Sequence, residues 1–365
     1  MTNTTKNSIL AFEYFTASGE NDKCISSEAE ALIRALLDDL KDFDVTIILN
    51  NTYKHVADGY SNVNPIIIEG SLEDYLKDNL DGFEKAIYIA AENDNHLYNI
   101  AKILEDKDIF IYNSNSEACF KSSDKFELFE SLYGAVPQPL TNKFKIDSKG
   151  YWKRAVENLY KKWQAEDPLT KLKLIIKPIN GVDCENVVIL NDIDELSYDL
   201  EDIFPPGSRI LVQEFIDGED ISVSLMVHDG KAIPLSINKQ FVEIKGDFER
   251  YLGGMLPYET DFKDQILEVA IKACETLEGL NGFVGVDLRL NPDETDLYNV
   301  YLIEINSRFT TPYVGLQKIA NFNIANSIID WIDGKMDSED LEKIISFDGH
   351  VEFKKVKDHL MIEVF

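Results

Sequence analysis

The chain has 365 residues, 44% of them hydrophobic and 11% aromatic, which is enough to bury cores in two or three lobes and excludes a disordered polyanion. Its 66 acidic residues against 36 basic ones leave a net charge of −30, which repels phosphate backbones and anionic membranes and argues against nucleic acid or membrane as partners. An anionic small ligand must then be met by a few well-placed lysines, arginines and backbone amides, so each cation becomes informative.

The amino terminus, MTNTTKNSILAFEYF, lacks a basic start followed by a long apolar run, and no later stretch approaches about 18 consecutive apolar residues, so a cytoplasmic protein is expected. Apolar runs at 9–15, 45–49, 65–68, 85–91 and 109–112 alternate with helical patterns at 27–42 and 93–105. This rhythm predicts a parallel sheet with helices packed on it over residues 1–120. No GxGxxG follows the first strand, which speaks against the usual dinucleotide site.

From Ser122 the pattern changes. A helix, the turn at 134–139, a Trp-containing helix at 151–164, strands at 173–179 and 186–190 and a short helix at 192–200 make a second lobe, 121–204, closed by Pro205-Pro206-Gly207. In the third lobe, 205–335, Ile221, Val223, Leu225 and Val227 alternate with Ser222, Ser224, Met226 and His228, as in a strand with one buried face. The stretch 231–244 returns beside it through a turn at His228-Asp229-Gly230. A helix at 264–278, strands at 283–290 and 300–306, and one closing helix at 316–332 follow. Residues 336–365 form an appendage of a helix and a small hairpin.

Cys24, Cys119, Cys184 and Cys274 contain no CxxC pair, and the five histidines are scattered, so neither a zinc site nor a Ser-His-Asp hydrolase is indicated. Carboxylates remain. Asp287 and Arg289 share one face of their strand, and Glu304, Asn306 and, if the strand persists, Arg308 share one face of the next. Pairing of the two strands brings Asp287 near Glu304, and two carboxylates with an amide oxygen are hard ligands suited to Mg²⁺ or Mn²⁺. Of only six arginines two lie here, where they can meet phosphate or carboxylate oxygens, although an ion-pair ladder between strands is an equal reading of the same residues.

The strings SSDK (122–125), LIIKP (174–178), LVQEFIDGED (211–220), VDLR (286–289) and LIEINSR (302–308) occur in the order and spacing of the ATP-grasp superfamily, which the chain resembles over about residues 8–335. The resemblance implies an α/β and α+β fold, an ATP-grasp fold with an N-terminal parallel α/β (pre-ATP-grasp) lobe. It implies ATP as cofactor, with Lys125 and Lys177 on the phosphates, Gln213 and the backbone of Glu214 and Ile216 on adenine, and Asp220 on the ribose. It further implies that Asp287, Glu304 and Asn306 ligate two Mg²⁺ or Mn²⁺ ions, with Arg308, and with it Arg289, in the catalytic role. One departure is that the stretch between Lys177 and Val187 holds a single glycine, Gly181, followed by Val182, Asp183 and Cys184.

Within the superfamily, FEYFTASG (12–19), KPINGVD (177–183), GEDISVSL (218–225), NKQ (238–240) and YLGGMLP (251–257) resemble the branch that joins the side-chain carboxylate of L-glutamate to tyramine in methanofuran biosynthesis. That likeness implies a carboxylate–amine ligase acting through an acyl phosphate with small-molecule acid and amine as partners. Another amino-acid or amine ligase and a non-catalytic nucleotide-binding protein are the alternatives, and a homodimer is left open. For substrate contacts the candidates are Tyr251, Gly253 and Gly254, whose glycines would let backbone approach a ligand, and Glu13 and Ser18 after the first strand.

Overall fold

The computed structural model describes residues 8–20, 23–166, 171–179, 187–197, 200–245, 248–292, 298–356 and 359–365. The apolar runs of the first third form β1 (Ser8–Glu13), β2 (Asp44–Asn50), β3 (Val63–Ile68), β4 (Lys85–Ile89) and β5 (Phe110–Ile111). They pair in parallel in the order β3-β2-β1-β4-β5. Near-continuous hydrophobicity in β1, β2 and β4 reflects helices on both faces. These are α1 (Tyr14–Ser18), α2 (Lys23–Asp39), α3 (Leu72–Asp78) and α4 (His96–Asp106), and α5 (Ser116–Ser123) leads out of the sheet. Asp124 then caps α6 (Lys125–Ser131) by accepting from the Phe126 and Glu127 amides, which sets Lys125 at the first helical position.

A second, antiparallel sheet has the order β6-β9-β7-β8, built from β6 (Thr141–Lys145), β7 (Leu174–Pro178), β8 (Val188–Leu190) and β9 (Arg209–Glu214). The helix α7 (Tyr151–Glu166) covers it with Trp152, Val156 and Trp163. Strand β9 follows Pro205-Pro206-Gly207 yet pairs with strands that precede it.

The third sheet begins with the hairpin of β10 (Glu219–His228) and β11 (Lys231–Lys245), in which His228 pairs with Lys231 around Asp229-Gly230, as the alternation predicts. It continues with β12 (Phe248–Leu256), β13 (Gly282–Leu290) and β14 (Val300–Asn306), while α8 (Lys263–Thr276) buries Ile266, Ala270 and Ala273 against it. The expected closing helix is two helices, α9 (Thr311–Ile319) and α10 (Ile324–Ile332). Ala320 is extended, and the Asn323 side chain caps α10 by accepting from the Asn326 amide. After α11 (Ser338–Ile344), the hairpin of β15 (Val351–Val356) and β16 (His359–Val364) joins the sheet as its edge, giving the order β14-β13-β10-β11-β12-β15-β16. Buried Asp39 ties the lobes together, since one carboxylate oxygen accepts from the Tyr313 hydroxyl at 2.8 Å and from the Ala325 amide at 2.9 Å.

The stretch expected as a ligand-facing loop at 251–257 is mostly strand. Gly253 pairs with Phe241 on one side and Lys354 on the other. Its φ is +142°, and a Cβ there would sit 2.0 Å from the Phe353 carbonyl oxygen, while one on Gly254 would sit 2.5 Å from that of Lys239. Close approach of neighbouring strands, not of a ligand, accounts for both glycines. Gly253→Ala should therefore cost about 2–5 kcal/mol of stability, read as a lowered urea midpoint; a midpoint equal to that of the parent would contradict the strand packing.

Candidate active site

Antiparallel pairing of β13 and β14 puts Asp287 directly opposite Glu304 and Gly285 opposite Asn306. The Asn306 amide donates to one Asp287 oxygen at 2.9 Å and the Gln240 amide, from β11, to the other at 2.9 Å. Lys125 lies 3.0 Å from Glu304 and is anchored by its backbone amide, which donates to the Ile179 carbonyl beyond β7. At the end of β14, the Ser307 hydroxyl bonds that of Ser122 at 2.8 Å and joins α5 to the site.

The electrostatics follow from burial. Asp287 is pushed well above the usual carboxylate range by burial and then by the neighbouring Glu304 charge. Burial also opposes charge on Glu304, but the Lys125 and Lys177 ammonium groups outweigh it and hold that carboxyl well below its usual value. For Lys125, burial is in turn outweighed by Glu304, Glu92 and Asp287, which keep its ammonium above the usual lysine value. Among the described residues no group of three or more His, Cys, Asp or Glu side chains is arranged to hold a metal, so the donor set here is two carboxylates and an amide. Two buried carboxylates that cannot both ionise comfortably fit a divalent cation.

A cavity of about 220 Å³ is lined by Lys125, Lys177, Gln213, Glu214, Ile216, Asp220, Asp287, Arg289, Glu304, Asn306 and Arg308, and also by Tyr251. Almost every residue singled out in the sequence thus shares one cleft. At one end, Gln213 donates to the Thr141 hydroxyl at 2.8 Å, and the Glu214 amide donates to the Leu140 carbonyl at 2.8 Å. Arg289 belongs to this end: it donates to Asp220 at 2.9 Å and lies 5.2 Å over the Phe215 ring. Its setting therefore differs from that of Arg308, with which it was grouped. The glycine-poor stretch with Gly181, Asp183 and Cys184 lies outside the described residues.

Arg308 is gripped by Glu92, to which Nε donates at 2.8 and 3.0 Å and Nη2 approaches at 2.8 Å. Glu92 stands just beyond β4, at the carboxyl end of the parallel sheet, a position that could have drawn attention to it by the same rule that drew it to Glu13. Sequence reasoning also missed Gln240 as an Asp287 partner. Glu13 and Ser18 do not line the cleft. Glu13 is buried and caps α1, accepting from the Phe15 and Thr16 amides at 2.9 and 2.7 Å, and the Ser18 hydroxyl donates to the Phe15 carbonyl. Of the five expected substrate contacts only Tyr251 faces the cavity.

A family model described as an ATP-grasp domain matches residues 122–312. The chain belongs to the ATP-grasp family. It is 32% identical to the tyramine–L-glutamate ligase of Methanocaldococcus jannaschii over 85% of this chain and 84% of that one. It is 31% identical to the enzyme of that name from Methanocaldococcus fervens over 85% and 89%. An ATP-grasp superfamily protein from Archaeoglobus fulgidus shares the fold with a TM-score of 0.68 and 24% identity, over 98% of this chain and 99% of that one. This ATP-grasp protein is a carboxylate–amine ligase of a family that uses ATP and divalent metal. Among the described residues no helix is long and apolar enough to cross a membrane.

Burial pushes the Glu13 carboxyl from its ordinary 4.5 up to about 7, against the pull of its two backbone amides and of Arg308. A raised carboxyl binds its proton more tightly folded than unfolded, so its contribution is full below about pH 4.5 and declines as pH rises to about 7. Glu13→Gln should accordingly flatten the fall in urea stability between pH 5 and pH 8 by up to about 3 kcal/mol relative to the parent. Parallel profiles for the two proteins would show that Glu13 is not the group titrating.

Proposed function

We infer that this ligase phosphorylates the side-chain carboxylate of L-glutamate with ATP and joins it to the amine of tyramine, the step in methanofuran biosynthesis that the sequence likeness implies. The observation that carries the chemistry is the half-buried Asp287–Glu304 pair, with Lys125 and Lys177 beside Glu304 and Arg308 in the same cavity. The substrates rest on the two tyramine–L-glutamate ligases that are 31–32% identical over 85% of the chain.

In this reading, Lys125 and Lys177 meet the triphosphate as point charges, and Asp220 accepts from the ribose hydroxyls beside the hinge 213–216. The backbone of Glu214 and Ile216 faces the base in this reading, with the Glu214 amide donating to the Leu140 carbonyl. Asp287, Glu304 and Asn306 hold two Mg²⁺ or Mn²⁺ ions, which supply charge neutralisation to the polyphosphate. A glutamate carboxylate oxygen attacks the γ-phosphorus, the bond to the bridging oxygen breaks, and ADP leaves. The amine nitrogen then attacks the acyl carbon, the bond to the phosphate oxygen breaks, and inorganic phosphate departs as the nitrogen gives up its proton. Arg308, its guanidinium fixed by Glu92, is oriented in advance toward the charge that develops on the acyl phosphate.

Purified protein with Mg²⁺ or Mn²⁺ is expected to release ADP and phosphate only when glutamate and tyramine are both present, in a coupled assay crossing acids with amines. Release of AMP would exclude the acyl-phosphate route. Glu304→Ala should lower turnover by about 10³-fold or more while the far-ultraviolet dichroism stays that of the parent, and full activity in that variant would remove the metal assignment.

A further inference from the structure

Among the described residues five carboxylates line the cavity: Glu28, Glu214, Asp220, Asp287 and Glu304. Four have a place in the reading above. Glu214 lies at the hinge and accepts from the Leu140 amide at 3.2 Å, Asp220 is held by Arg289, and Asp287 and Glu304 are the paired acids of the metal site. Glu28 on α2 is left over, and the handling of ATP and phosphate makes no use of it. We propose that Glu28 binds the ammonium group of the amine substrate, and that Val242, Tyr251 and Pro312 form the apolar wall along which the amine's aromatic ring lies.

The position of Glu28 is set by two contacts. One of its oxygens accepts from the Thr311 hydroxyl, and the other lies 3.1 Å from the ammonium of Lys355, which is not part of the cavity lining. The two oxygens of a carboxylate offer about four acceptor sites, so these contacts leave room for a second cation that arrives through the cavity. The Glu28 side chain is 20% exposed, sheltered enough for a charge-assisted bond to count and open enough for a ligand to reach it. Thr311 is three residues from Arg308, so the acid that holds the amine and the guanidinium that meets the acyl phosphate are placed by one short segment.

Apolar surface is available at the same end. Val242 of β11 and Tyr251 of β12 are opposite each other in their antiparallel pair, and Pro312 follows Thr311 at the start of α9. All three line the cavity. An arylalkylamine is a cation joined to a ring, and a carboxylate beside an apolar wall is complementary to both parts. Charge along the cleft is then divided by ligand: Lys125, Lys177 and Arg308 for the anionic reactants, Glu28 for the cationic one. Docking of the terminal hairpin on α2 has other contacts, since the Leu360 amide donates to the Ser27 hydroxyl at 2.9 Å and Leu360 and Ile362 pack on the core.

The inference rests on the reading of tyramine as amine substrate, and the test separates the two. The KM for tyramine and for L-glutamate is measured with the other substrates saturating, together with the Ki of tyrosol, which carries a hydroxyl in place of the amine. In the parent, tyrosol should compete with tyramine at a Ki about 10- to 100-fold above the tyramine KM. Glu28→Gln, which removes the charge and keeps the shape, should raise the tyramine KM by about the same 10- to 100-fold factor and leave the tyrosol Ki and the glutamate KM unchanged. Lys355→Met removes a competing cation and should lower the tyramine KM or leave it at the parental value.

A parent in which tyrosol binds as tightly as tyramine overturns the inference without any variant. So does a Glu28→Gln protein whose tyramine KM is parental, or one in which the tyramine KM, tyrosol Ki and glutamate KM rise together, as loss of a scaffold would make them. A rise in the glutamate KM alone would move Glu28 to the α-ammonium of the acid, and a tyramine KM raised as far by Lys355→Met as by Glu28→Gln would mark the pair as structural; either result overturns the inference. The assignment of glutamate and tyramine survives all of these outcomes. A parent that turns over no tyramine with glutamate overturns that assignment and this inference with it.

Discussion

Strand register forces Asp287 and Glu304 side by side in a sheltered cleft, and the rest of the site answers that one electrostatic problem. A buried carboxylate is costly unless paired or coordinated, and two adjacent ones are costlier, because each opposes ionisation of the other. The charge that compensates Glu304 comes from other elements: Lys125 from the first position of α6 and Lys177 from β7 of the four-stranded sheet. The amides of Gln240 and Asn306 stabilise Asp287 without adding charge. No element carries both the acids and the lysines that balance them, so the cleft exists only where the two antiparallel sheets and α6 meet.

Scarcity of cations shapes the remainder. Around the cavity each arginine is held by one acid, Arg289 by Asp220 and Arg308 by Glu92, and Lys355 is held by Glu28. Pairing of this kind contributes little to stability at an exposed surface, but in a sheltered cleft it fixes where a guanidinium points before a ligand arrives. The two arginines illustrate the result. Arg289 lies on β13 and Arg308 two residues beyond the end of β14, and Arg289 is drawn over Phe215 at the hinge while Arg308 is drawn toward the carboxyl end of the parallel sheet.

How much could be read from the residues alone depended on range. The parallel apolar runs of β1 to β4 and the common face of Asp287 with Glu304 are local patterns, and the structure reproduces them; the alternation in β10 finds the strand but not its setting, since Ser222, Ser224 and Met226 are buried on the second face as well. The helix predicted at 316–332 failed because a continuous apolar pattern hides a break: one helix ends at Ile319, with Ala320 extended, and Asn323 caps the next. Gly253 and Gly254 suggested room for a ligand, yet a missing Cβ records close approach without saying by what, and here it is the β15 backbone for Gly253 and the β11 backbone for Gly254. Glu92 had only its place beyond β4 to mark it, and Lys355 had no local mark. Each matters through a partner more than two hundred residues away, and separation of that size leaves no periodicity to find.

This difference in range divides the site into two kinds of residue. Those proposed to handle ATP and phosphate lie within 122–312, brought together by the register of β7, β13 and β14 and by the placing of Lys125 on α6. The groups at the opposite end of the cleft, Glu28, Glu92 and Lys355, arrive from the parallel sheet's surroundings and from the terminal hairpin. Glu28 meets that machinery at Thr311, whereas Glu92 both holds Arg308 and helps keep the Lys125 ammonium charged. The hairpin that closes the seven-stranded sheet reaches the cleft indirectly, since its Lys355 holds Glu28, which lines the cavity.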